Sequence, residues 1–380
     1  MRVHTLKFSD LTARDAAIWN GFAAARGPLS SPYLRFEFAQ AVASVRDDVR
    51  LLAAEIDGEP IGFLPFHAPR GGVARPLAAP MSDHQGWVCA PGVAVGEREM
   101  LSAMGAGAFV YENWSGPAPG RSRARHGSAV MDLCGGFETW RNRREALHRD
   151  HFRKTARRLK RAEREHGPAR LVVGDPDGAL IDTLLAWKSA QYRATGKLDL
   201  FAIDWVDALV RACAARSFEA AGFGGLVFSL WFGDRLAAVE TGLAADGVYH
   251  SWFPAYDPAF AACSPGLQLL EMIAQASPGL GIARIDLGRG AGGYKAYYTD
   301  HEIPLTEGRA LAAGLAAARV GGGEMAEELA RVLPGALSAA PAKLRRRWAQ
   351  TAAFEPALSR RIALMGEAVA SQALGSRAPA

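Results

Sequence analysis

The chain contains little cysteine, and its four cysteines lie far apart in the sequence. They are Cys89, Cys134, Cys213 and Cys263, and none belongs to a CxxC pair. Zinc ribbons and dithiol redox sites are built from such pairs, so neither is expected, and we predict no metal site. Scattered thiols of this kind are typical of proteins in a reducing compartment.

The sequence also lacks the apolar segments that direct proteins into or across membranes. Its N-terminus, MRVHTLKFSDLTARDAAIWN, has no apolar stretch of the roughly 7–15 residues found in secretory signals. No segment reaches the roughly 18 uncharged apolar residues of a membrane-spanning helix. We therefore predict a cytoplasmic protein, with peripheral contact to an anionic inner-membrane surface as an option.

The composition that remains is that of a globular protein with an uneven charge distribution. Of the 380 residues, 49% are hydrophobic, which suffices for a sizeable core and for two or three domains. The net charge is +5, yet residues 141–165, RNRREALHRDHFRKTARRLKRAERE, alone contain 11 Lys/Arg against 4 Asp/Glu. A second basic cluster, KLRRRW, lies at 343–348. Such clusters are typical of proteins that bind phosphates, nucleic acids or anionic membranes.

Two segments of the chain share a hairpin pattern. The first, VRLLAAEIDGEPIGFLPFHA, has apolar runs on both sides of Asp57-Gly58, a dipeptide favoured in tight turns. The second, GLVFSLWFGDRLAAVETGLAADGVYHSWF, has turns at Gly233-Asp234 and Asp246-Gly247. Because EIDGEPIGFLPF and WFGDRLAAVETG align as strand, turn and strand, the pattern predicts a duplicated α/β domain.

The second half of the chain has a readable order of elements. The apolar spacing of DTLLAWKSAQYRATG predicts a helix, and strands are expected near 225–232, 236–243 and 247–253. Ser264 and Pro265 then begin a helix, SPGLQLLEMIAQAS. A strand, ARIDLG, leads into a glycine-rich turn that ends at Tyr294-Lys295. From residue 311 the chain is rich in alanine and glycine, which predicts short helices and a disordered last ten residues.

This order resembles that of the GNAT acyltransferase superfamily. AYDPAFAACSPGLQLLEMIAQA followed by IDLGRGAGGYKAYYT resembles the CelD/BcsL-type acetyltransferases of polysaccharide biosynthesis, which are similar to the FemAB ligases. The resemblance covers about 145–305 well and 20–140 more loosely, through LAAEIDGEPIGFLPF and APMSDHQGWV. It implies an α/β fold of two tandem GNAT-like domains with mixed, mostly antiparallel sheets flanked by helices. The expected units are 1–140, 141–310 and a helical tail, 311–380.

The resemblance also implies a function. It is transfer of an acyl group, from acyl-CoA such as acetyl-CoA, to an amine on a sugar or lipid-linked glycan in exopolysaccharide or cell-envelope biosynthesis. The chain departs from the usual GNAT phosphate loop, because Cys263-Ser264-Pro265-Gly266 stands in its place. The helix N-terminus at Ser264, Pro265 and Gly266 could still receive a pyrophosphate through the backbone N–H groups of its non-proline residues. The alternative is a plain helix cap without a ligand.

Acyl transfer to an amine benefits from a base whose pKa lies near neutrality. His250 and Glu240, on adjacent predicted strands, are the candidates, because histidine titrates there and burial can raise the pKa of a glutamate. The alternative is that both are ordinary surface or core-edge side chains. Asp83-His84, a lone acid and histidine pair, is interpreted as structural.

Polar residues around the glycine turn and two helices are predicted to contact substrate. The turn carries an arginine and a lysine, which suggest an anionic ligand. The alternative is that Asp286 and Arg289 form an ion pair that only fixes the turn. The basic helix places its arginines on one side and Phe152, Ala156 and Leu159 on the docking side. It suits a phosphate-bearing glycan or nucleotide-sugar acceptor, or it is a solvated charged face. The predicted contact residues are Asp286, Arg289, Tyr294, Lys295, Lys188, Gln191, Tyr192, Arg153 and Arg157, with Lys160, Arg161 and Arg164 on the same helix face as the last two.

Two other functions stay open at this point. A Fem-like ligase using aminoacyl-tRNA fits the basic helix, but the sequence lacks the helical-arm insertion of such ligases. A non-catalytic regulator that binds a nucleotide such as cyclic di-GMP is suggested by RSRAR at 121–125 and LRRRW at 344–348. No DNA or RNA motif accompanies the basic clusters, so nucleic acid is disfavoured as a partner.

Overall fold

The computed structural model describes residues 1–218, 222–290, 292–330, 348, 351–355 and 359–362. Within them, strands and helices follow one another in an α/β arrangement, joined by short 3-10 turns. The strands are β1 (Arg2–Lys7), β2 (Val49–Ile56), β3 (Glu59–Arg70), β4 (Val73–Pro76), β5 (Val88–Cys89), β6 (Ala108–Ser115), β7 (Arg121–Asp132), β8 (Ala169–Val173), β9 (Phe223–Phe232), β10 (Arg235–Ala245), β11 (Val248–Tyr256), β12 (Arg284–Arg289) and β13 (His301–Leu311). The helices are α1 (Ala13–Ala24), α2 (Phe36–Val45), α3 (Glu97–Met104), α4 (Phe137–His166), α5 (Ala179–Ala194), α6 (Asp204–Ala214), α7 (Pro265–Ala276), α8 (Lys295–Tyr298) and α9 (Leu315–Ala330).

The strands form one mixed sheet in which the same arrangement occurs twice. Its order is β1-β2-β3-β4-β6-β13-β7-β12-β11-β10-β9-β8, with β5 paired to β3. In the first half, β2, β3 and β4 are antiparallel and β4 pairs parallel with β6. In the second half, β9, β10 and β11 are antiparallel and β11 pairs parallel with β12. The predicted fold class, mixed and mostly antiparallel sheet flanked by helices, is confirmed.

Two strands join the halves by crossing between them. Strand β7 comes early in the chain but pairs with β12 of the second half. Strand β13 comes late but pairs with β6 of the first half, and β7 and β13 also pair with each other. The sheet is therefore continuous across the boundary expected near residue 140, and the division into units stays a prediction.

The predicted hairpin turns form where the sequence places them. Asp57 and Gly58, between β2 and β3, have φ of 52° and 82°. Asp246 and Gly247, between β10 and β11, have φ of 51° and 73°. Successive positive φ values match the right-handed twist of the flanking strands, and aspartate and glycine tolerate them best.

The two faces of the sheet bury separate cores. Helices α1, α2, α5 and α6 cover one face with side chains from both halves, such as Trp19, Phe38 and Leu209. Helices α4, α7 and α8 cover the other face through Phe152 and Leu269, among others. Side chains alternate along a strand, so those of β10 enter both cores in turn. The helices packed on the two faces fix the positions of the polar residues of β10.

The basic helix α4 docks through Phe152 and Leu159, as expected, but not through Ala156. Its buried residues after the kink at His148 are Phe152, Thr155 and Ala162, whereas Ala156 is exposed. The expectation that Ala156 lies on the docking side is therefore wrong. The i, i+3, i+7, i+10 spacing of the observed face is the one helical geometry requires.

Part of the C-terminal segment packs on the second half. Helix α9 confirms the helical character expected after residue 311. Phe354 is 4% exposed, and its carbonyl accepts a hydrogen bond from the Trp205 indole at 3.0 Å. Most of LRRRW and the last ten residues lie outside the described residues. None of the helices in the described part of the chain combines the length and apolar character needed to cross a bilayer.

Candidate active site

The second half contains a fork between two parallel strands. Strands β11 and β12 pair over only three residues, ending at His250 and Asp286, after which they diverge. The neighbouring pair, β10 and β11, has a bulge between Thr241 and Gly242. A Cβ atom at Gly242 would overlap the carbonyl oxygen of His250, so glycine is required there. Beyond the fork, β11 continues through a short 3-10 turn, Pro258–Cys263, into the start of α7.

Asp286, at the base of the fork, is the hub of a buried polar cluster. The Nε2 atom of His84 lies 2.7 Å from its Oδ2. Its Oδ1 accepts hydrogen bonds from the Ser128 hydroxyl at 2.5 Å and from the Gly288 N–H at 2.8 Å. The Asp286 side chain is 2% exposed, and these donors satisfy a carboxylate that would otherwise be costly to bury.

His250 links this hub to the surface of the fork. Its Nε2 lies 3.0 Å from Oδ2 of Asp83, and its Nδ1 lies 3.5 Å from Oδ1 of Asp286. The ring packs edge-on against Tyr33, with centroids 4.8 Å apart. His250 is fully buried, whereas the Asp83 side chain is 31% exposed. Asp83 is therefore the member of this group that a substrate can reach.

The two carboxylates decide the charge of His250. Burial alone would lower the pKa of this imidazole, but Asp286 and Asp83 outweigh it and raise the pKa to about 9. Burial would raise the pKa of Asp286, but His250 and His84 hold it well below its ordinary value. At neutral pH, His250 thus carries its proton, which suits donation or electrostatic stabilisation better than proton removal.

Gly288 leaves room for the contact between Asp83 and His250. Its φ is +77°, and a Cβ atom there would lie 2.8 Å from Oδ2 of Asp83. Both the backbone conformation and the lack of space favour glycine. The first glycine of DLGRGAGGYK is therefore needed for the contact between Asp83 and His250.

The loop that carries Asp83 and His84 fills the corresponding fork of the first half. There β4 and β6 pair in parallel and then separate, and Gln85 bridges to Trp114 between them. The Gln85 side-chain oxygen accepts the backbone N–H groups of Glu112 and Asn113 at 3.1 and 3.3 Å. The loop after β4 thus fills the fork of the first half through Gln85, and its residues Asp83 and His84 reach the fork of the second half.

His84, His250 and Asp286 also have the chemistry of a metal site. One ligand atom from each lies within 4.8 Å of the others, and two imidazoles with a carboxylate suit a divalent transition metal. Asp286 contacts both imidazoles directly, His84 at 2.7 Å and His250 at 3.5 Å. The expectation that the protein uses no metal stays a prediction.

Glu240 lies in a second polar group beside the fork. It is 2% exposed and accepts a hydrogen bond from the Tyr249 hydroxyl at 3.1 Å. Burial raises its pKa, while hydrogen bonds and the charges of Lys188 and His250 oppose the rise. Burial also raises the pKa of nearby Tyr294 to about 12, and Glu240 adds to that effect. A carboxyl with a raised pKa is the better base candidate of the predicted pair.

Helix α5 brings its predicted contact residues to the same region. Burial lowers the pKa of Lys188 to about 8, against the opposing charge of Glu240. Its ammonium donates to the Gln191 side-chain oxygen at 3.2 Å and lies 5.8 Å from the Tyr192 ring centroid. Lys188, Gln191 and Tyr192 therefore form one polar edge, with only Lys188 in electrostatic contact with Glu240.

Lys295 is held at the end of β12. Its Nζ donates to the carbonyl oxygens of Gly288 at 3.3 Å and Arg289 at 3.1 Å. Burial lowers its pKa, while Asp83 and Asp286 oppose that change. The Arg289 side chain turns away and lies 3.4 Å from Glu307, so Asp286 and Arg289 do not pair with each other. The lysine thus faces the carboxylates of the cluster.

The start of α7 is an open helix N-terminus. Ser264 stands at the N-cap with φ of +54°, but its hydroxyl makes no capping hydrogen bond, so a cap without a ligand stays the alternative. The hydroxyl accepts a hydrogen bond from Arg158 of α4 at 3.0 Å. A Cβ atom on Gly266 would meet nothing within 4 Å. Pro265 has no N–H, and those of Leu267 and Gln268 bond to the Ser264 carbonyl, so the Gly266 N–H, the adjacent guanidinium and the open space are what fit a phosphate group.

The arginines singled out on α4 are not the one that reaches α7. Arg153 and Arg157 are exposed, and Arg153 pairs with Asp150 at 2.8 Å. Arg158, one residue further on, contacts Ser264. The helical periodicity of the sequence predicted which face of α4 is charged. It did not predict which side chain of α4 contacts the start of α7.

Comparison with known proteins bears on this fork directly. Residues 150–296 match the family model described as acetyltransferase (GNAT) domain. The matched segment contains α5, β9 to β12 and α7, the elements that build the fork. The expectation of an acyltransferase is confirmed, whereas nothing distinguishes the CelD/BcsL-type family from other GNAT proteins.

The chain is also similar to solved structures at low sequence identity. FemX superposes with a TM-score of 0.50 at 9% identity, covering 81% of this chain and 96% of its own. The C-terminal domain of a putative lysylphosphatidylglycerol synthetase from Agrobacterium fabrum gives 0.48 at 14%, covering 74% and 90%. A tandem GNAT protein from the clavulanic acid biosynthesis pathway gives 0.40 at 14%, covering 83% and 99%. No curated protein sequence matches the chain.

Sequence reasoning missed half of the buried cluster. Asp83 and His84 were interpreted as structural, and Ser128 was not considered. His84 lies 202 residues from Asp286 in sequence, and Ser128 lies 158 residues from it. Only the crossing of β7 and the loop after β4 bring them together, and no local spacing signals either event.

Proposed function

We propose that the protein is an N-acyltransferase that uses acyl-CoA and acts at the fork between β11 and β12. The observation that carries this proposal is the open fork, followed along the chain by the start of α7 without a side-chain cap, within the segment that matches the GNAT domain. An extended thioester can enter where two strands diverge, with its phosphates at a helix N-terminus.

The donor end of the site is built by α7 and α4. The Gly266 N–H at the positive end of the α7 dipole would hold the pyrophosphate of coenzyme A, and Arg158 would neutralise its charge. The missing glycines of the usual phosphate loop are compensated by Gly266, which leaves the approach open. This arrangement supports acetyl-CoA or another short acyl-CoA as donor.

The attacking amine must lose a proton, and Glu240 is the residue suited to accept it. Burial raises the pKa of Glu240 in the direction of neutral pH, which suits a general base, and the Tyr249 hydroxyl fixes the position of the carboxyl group. His250, protonated between Asp83 and Asp286, holds the partly exposed Asp83 in a fixed position at the fork.

Asp83 and the polar edge of α5 would orient the acceptor. The exposed part of Asp83 can bind an ammonium or a sugar hydroxyl, and Lys188 can bind an anionic group. The basic face of α4 supports an acceptor that carries phosphate, such as a nucleotide sugar or a lipid-linked glycan. We therefore place the reaction in exopolysaccharide or cell-envelope biosynthesis, on the cytoplasmic side of the membrane.

The test is acyl transfer with a panel of amino sugars. The full chain is incubated with acetyl-CoA and free or nucleotide-linked amino sugars, and the released thiol and acylated product are measured. We expect turnover with at least one acceptor and a loss of about 10²–10⁴-fold in Glu240→Gln, the range for a general base. Ser229→Ala, a buried polar change elsewhere in the same sheet, is the control. Transfer only from aminoacyl-tRNA would favour the Fem-like ligase instead.

A further inference from the structure

A second cavity lies away from the fork, between the sheet of the first half and the C-terminal segment. Its volume is about 840 Å³, and its wall comes from β3, β4, β6, β7, β12, β13, α9 and the stretch around Trp348 and Arg361. Neither the donor site at α7 nor Glu240 belongs to it. The arginines that line it are Arg46, Arg70, Arg75, Arg123, Arg289, Arg319 and Arg361.

The wall of this arginine cavity carries a surplus of positive charge. Against its seven arginines stand three carboxylates, those of Asp48, Glu112 and Glu307, which leaves four positive charges. His67 adds none at neutral pH, because burial lowers its pKa. A concave wall with this surplus raises the local concentration of anions.

Asp48 holds one side of the cavity in place. Its Oδ2 lies 2.6 Å from Arg46 and 2.8 Å from Arg70, and His67 Nδ1 lies 3.0 Å from its Oδ1. One carboxylate thus fixes two guanidinium groups. Since each guanidinium has five N–H donors, some donors of Arg46 and Arg70 remain available to a ligand.

On the opposite side, Glu307 accepts a long hydrogen bond from Arg289 at 3.4 Å and lies 3.9 Å from Arg123. A phosphate group has more acceptor oxygens than a carboxylate and can bridge two such arginines in planar, bidentate contacts. The spacing of this side therefore suits phosphate.

An aromatic side chain completes the cavity. Trp348 is 38% exposed and lies on the wall. The nearby stretch is anchored by Phe354, whose ring packs on Trp205 with centroids 5.9 Å apart. An exposed indole beside guanidinium groups offers a stacking surface for a nucleobase. The structure also brings Arg123 and Trp348, from the two short basic motifs of the sequence, to one place.

We propose that the arginine cavity binds a nucleotide with two phosphate groups, the phosphates on the arginines and the base on Trp348. The proposal does not depend on acyl transfer, because no residue of the cavity lies in the donor site. Two sources share this chemistry, a nucleotide-sugar acceptor and a cyclic dinucleotide effector. Strand β12 connects the cavity to the fork, since Arg289 at its end lies three residues after Asp286 of the polar cluster.

Titration calorimetry of the full chain, without acyl-CoA, tests the proposal with three probes. They are pyrophosphate, UDP-N-acetylglucosamine and cyclic di-GMP. We expect at least one nucleotide to bind more tightly than pyrophosphate. Arg319→Ala should weaken all binding about tenfold, the effect of losing one charged hydrogen bond, and Trp348→Ala should weaken only the nucleotides. Arg125→Ala is the matched control, since this exposed arginine lies on β7 near Arg123 but does not line the cavity.

The nucleotide that binds identifies the source. Binding of the sugar nucleotide would indicate an acceptor, and binding of cyclic di-GMP would indicate an effector. The proposal is overturned if neither nucleotide binds, if Arg319→Ala binds like the wild type with an unchanged melting temperature, or if Arg125→Ala weakens binding equally. Failure of acyl transfer in the amino-sugar assay would leave these results unaffected.

Discussion

Replacing His250 by asparagine should change how stability depends on pH in a defined direction. The pKa of His250 is raised from about 6.5 to about 9 in the folded state. One pKa unit corresponds to about 1.36 kcal/mol, so the rise is equivalent to about 3 kcal/mol of folding free energy. Because the pKa is raised, this stabilisation is fully present below pH 6.5 and is lost as the pH rises through 9.

The assay is urea unfolding of the wild type and of His250→Asn between pH 6 and pH 10. Lys188, whose pKa falls to about 8, titrates in the same window with the opposite effect, since its folded form releases the proton first. Subtracting the two curves removes that contribution. We expect the stability difference to shrink by about 3 kcal/mol between pH 6 and pH 10. A difference that stays constant would refute the charged His250 between Asp83 and Asp286.

Three further predictions concern the fork. Gly288→Ala should displace Asp83 and lower stability by roughly 1–3 kcal/mol through strain at positive φ, and an unchanged unfolding midpoint would contradict the close contact. Lys295→Ala should leave the fold intact and reduce kcat/KM by roughly 1.5–3 kcal/mol of transition-state stabilisation, whereas wild-type turnover would exclude a role at the site. Arg158→Ala should raise the KM for acyl-CoA several-fold with little change in kcat, while Arg153→Ala, on the same helix, should not.

The sequence allowed the hairpins and the main helices to be predicted because their signals are local. Asp57-Gly58 and Asp246-Gly247 adopt the positive φ values that their turns require. Ser264 and Pro265 begin α7, although the serine does not cap it. Each of these features depends on a few neighbouring residues, so a short pattern is enough.

The rest depends on contacts between distant parts of the chain. The exchange of β7 and β13 between the halves has no local signature, since either strand could pair within its own half. Asp83 reaches His250 and His84 reaches Asp286 only because Gln85 closes the first fork and directs its loop to the second. Because these contacts are distant in sequence, the neighbours of Asp83 and His84 in the chain gave no sign of a functional role, and the pair was interpreted as structural.

A crystal structure with a non-reactive acyl-CoA analogue tests the central claim most directly. We predict the pyrophosphate at the start of α7, within hydrogen-bond distance of Arg158, and the acyl group in the fork between β11 and β12 facing Glu240. An analogue bound in the arginine cavity, or at the fork of the first half that Gln85 closes, would contradict the assignment of acyl transfer to the second fork.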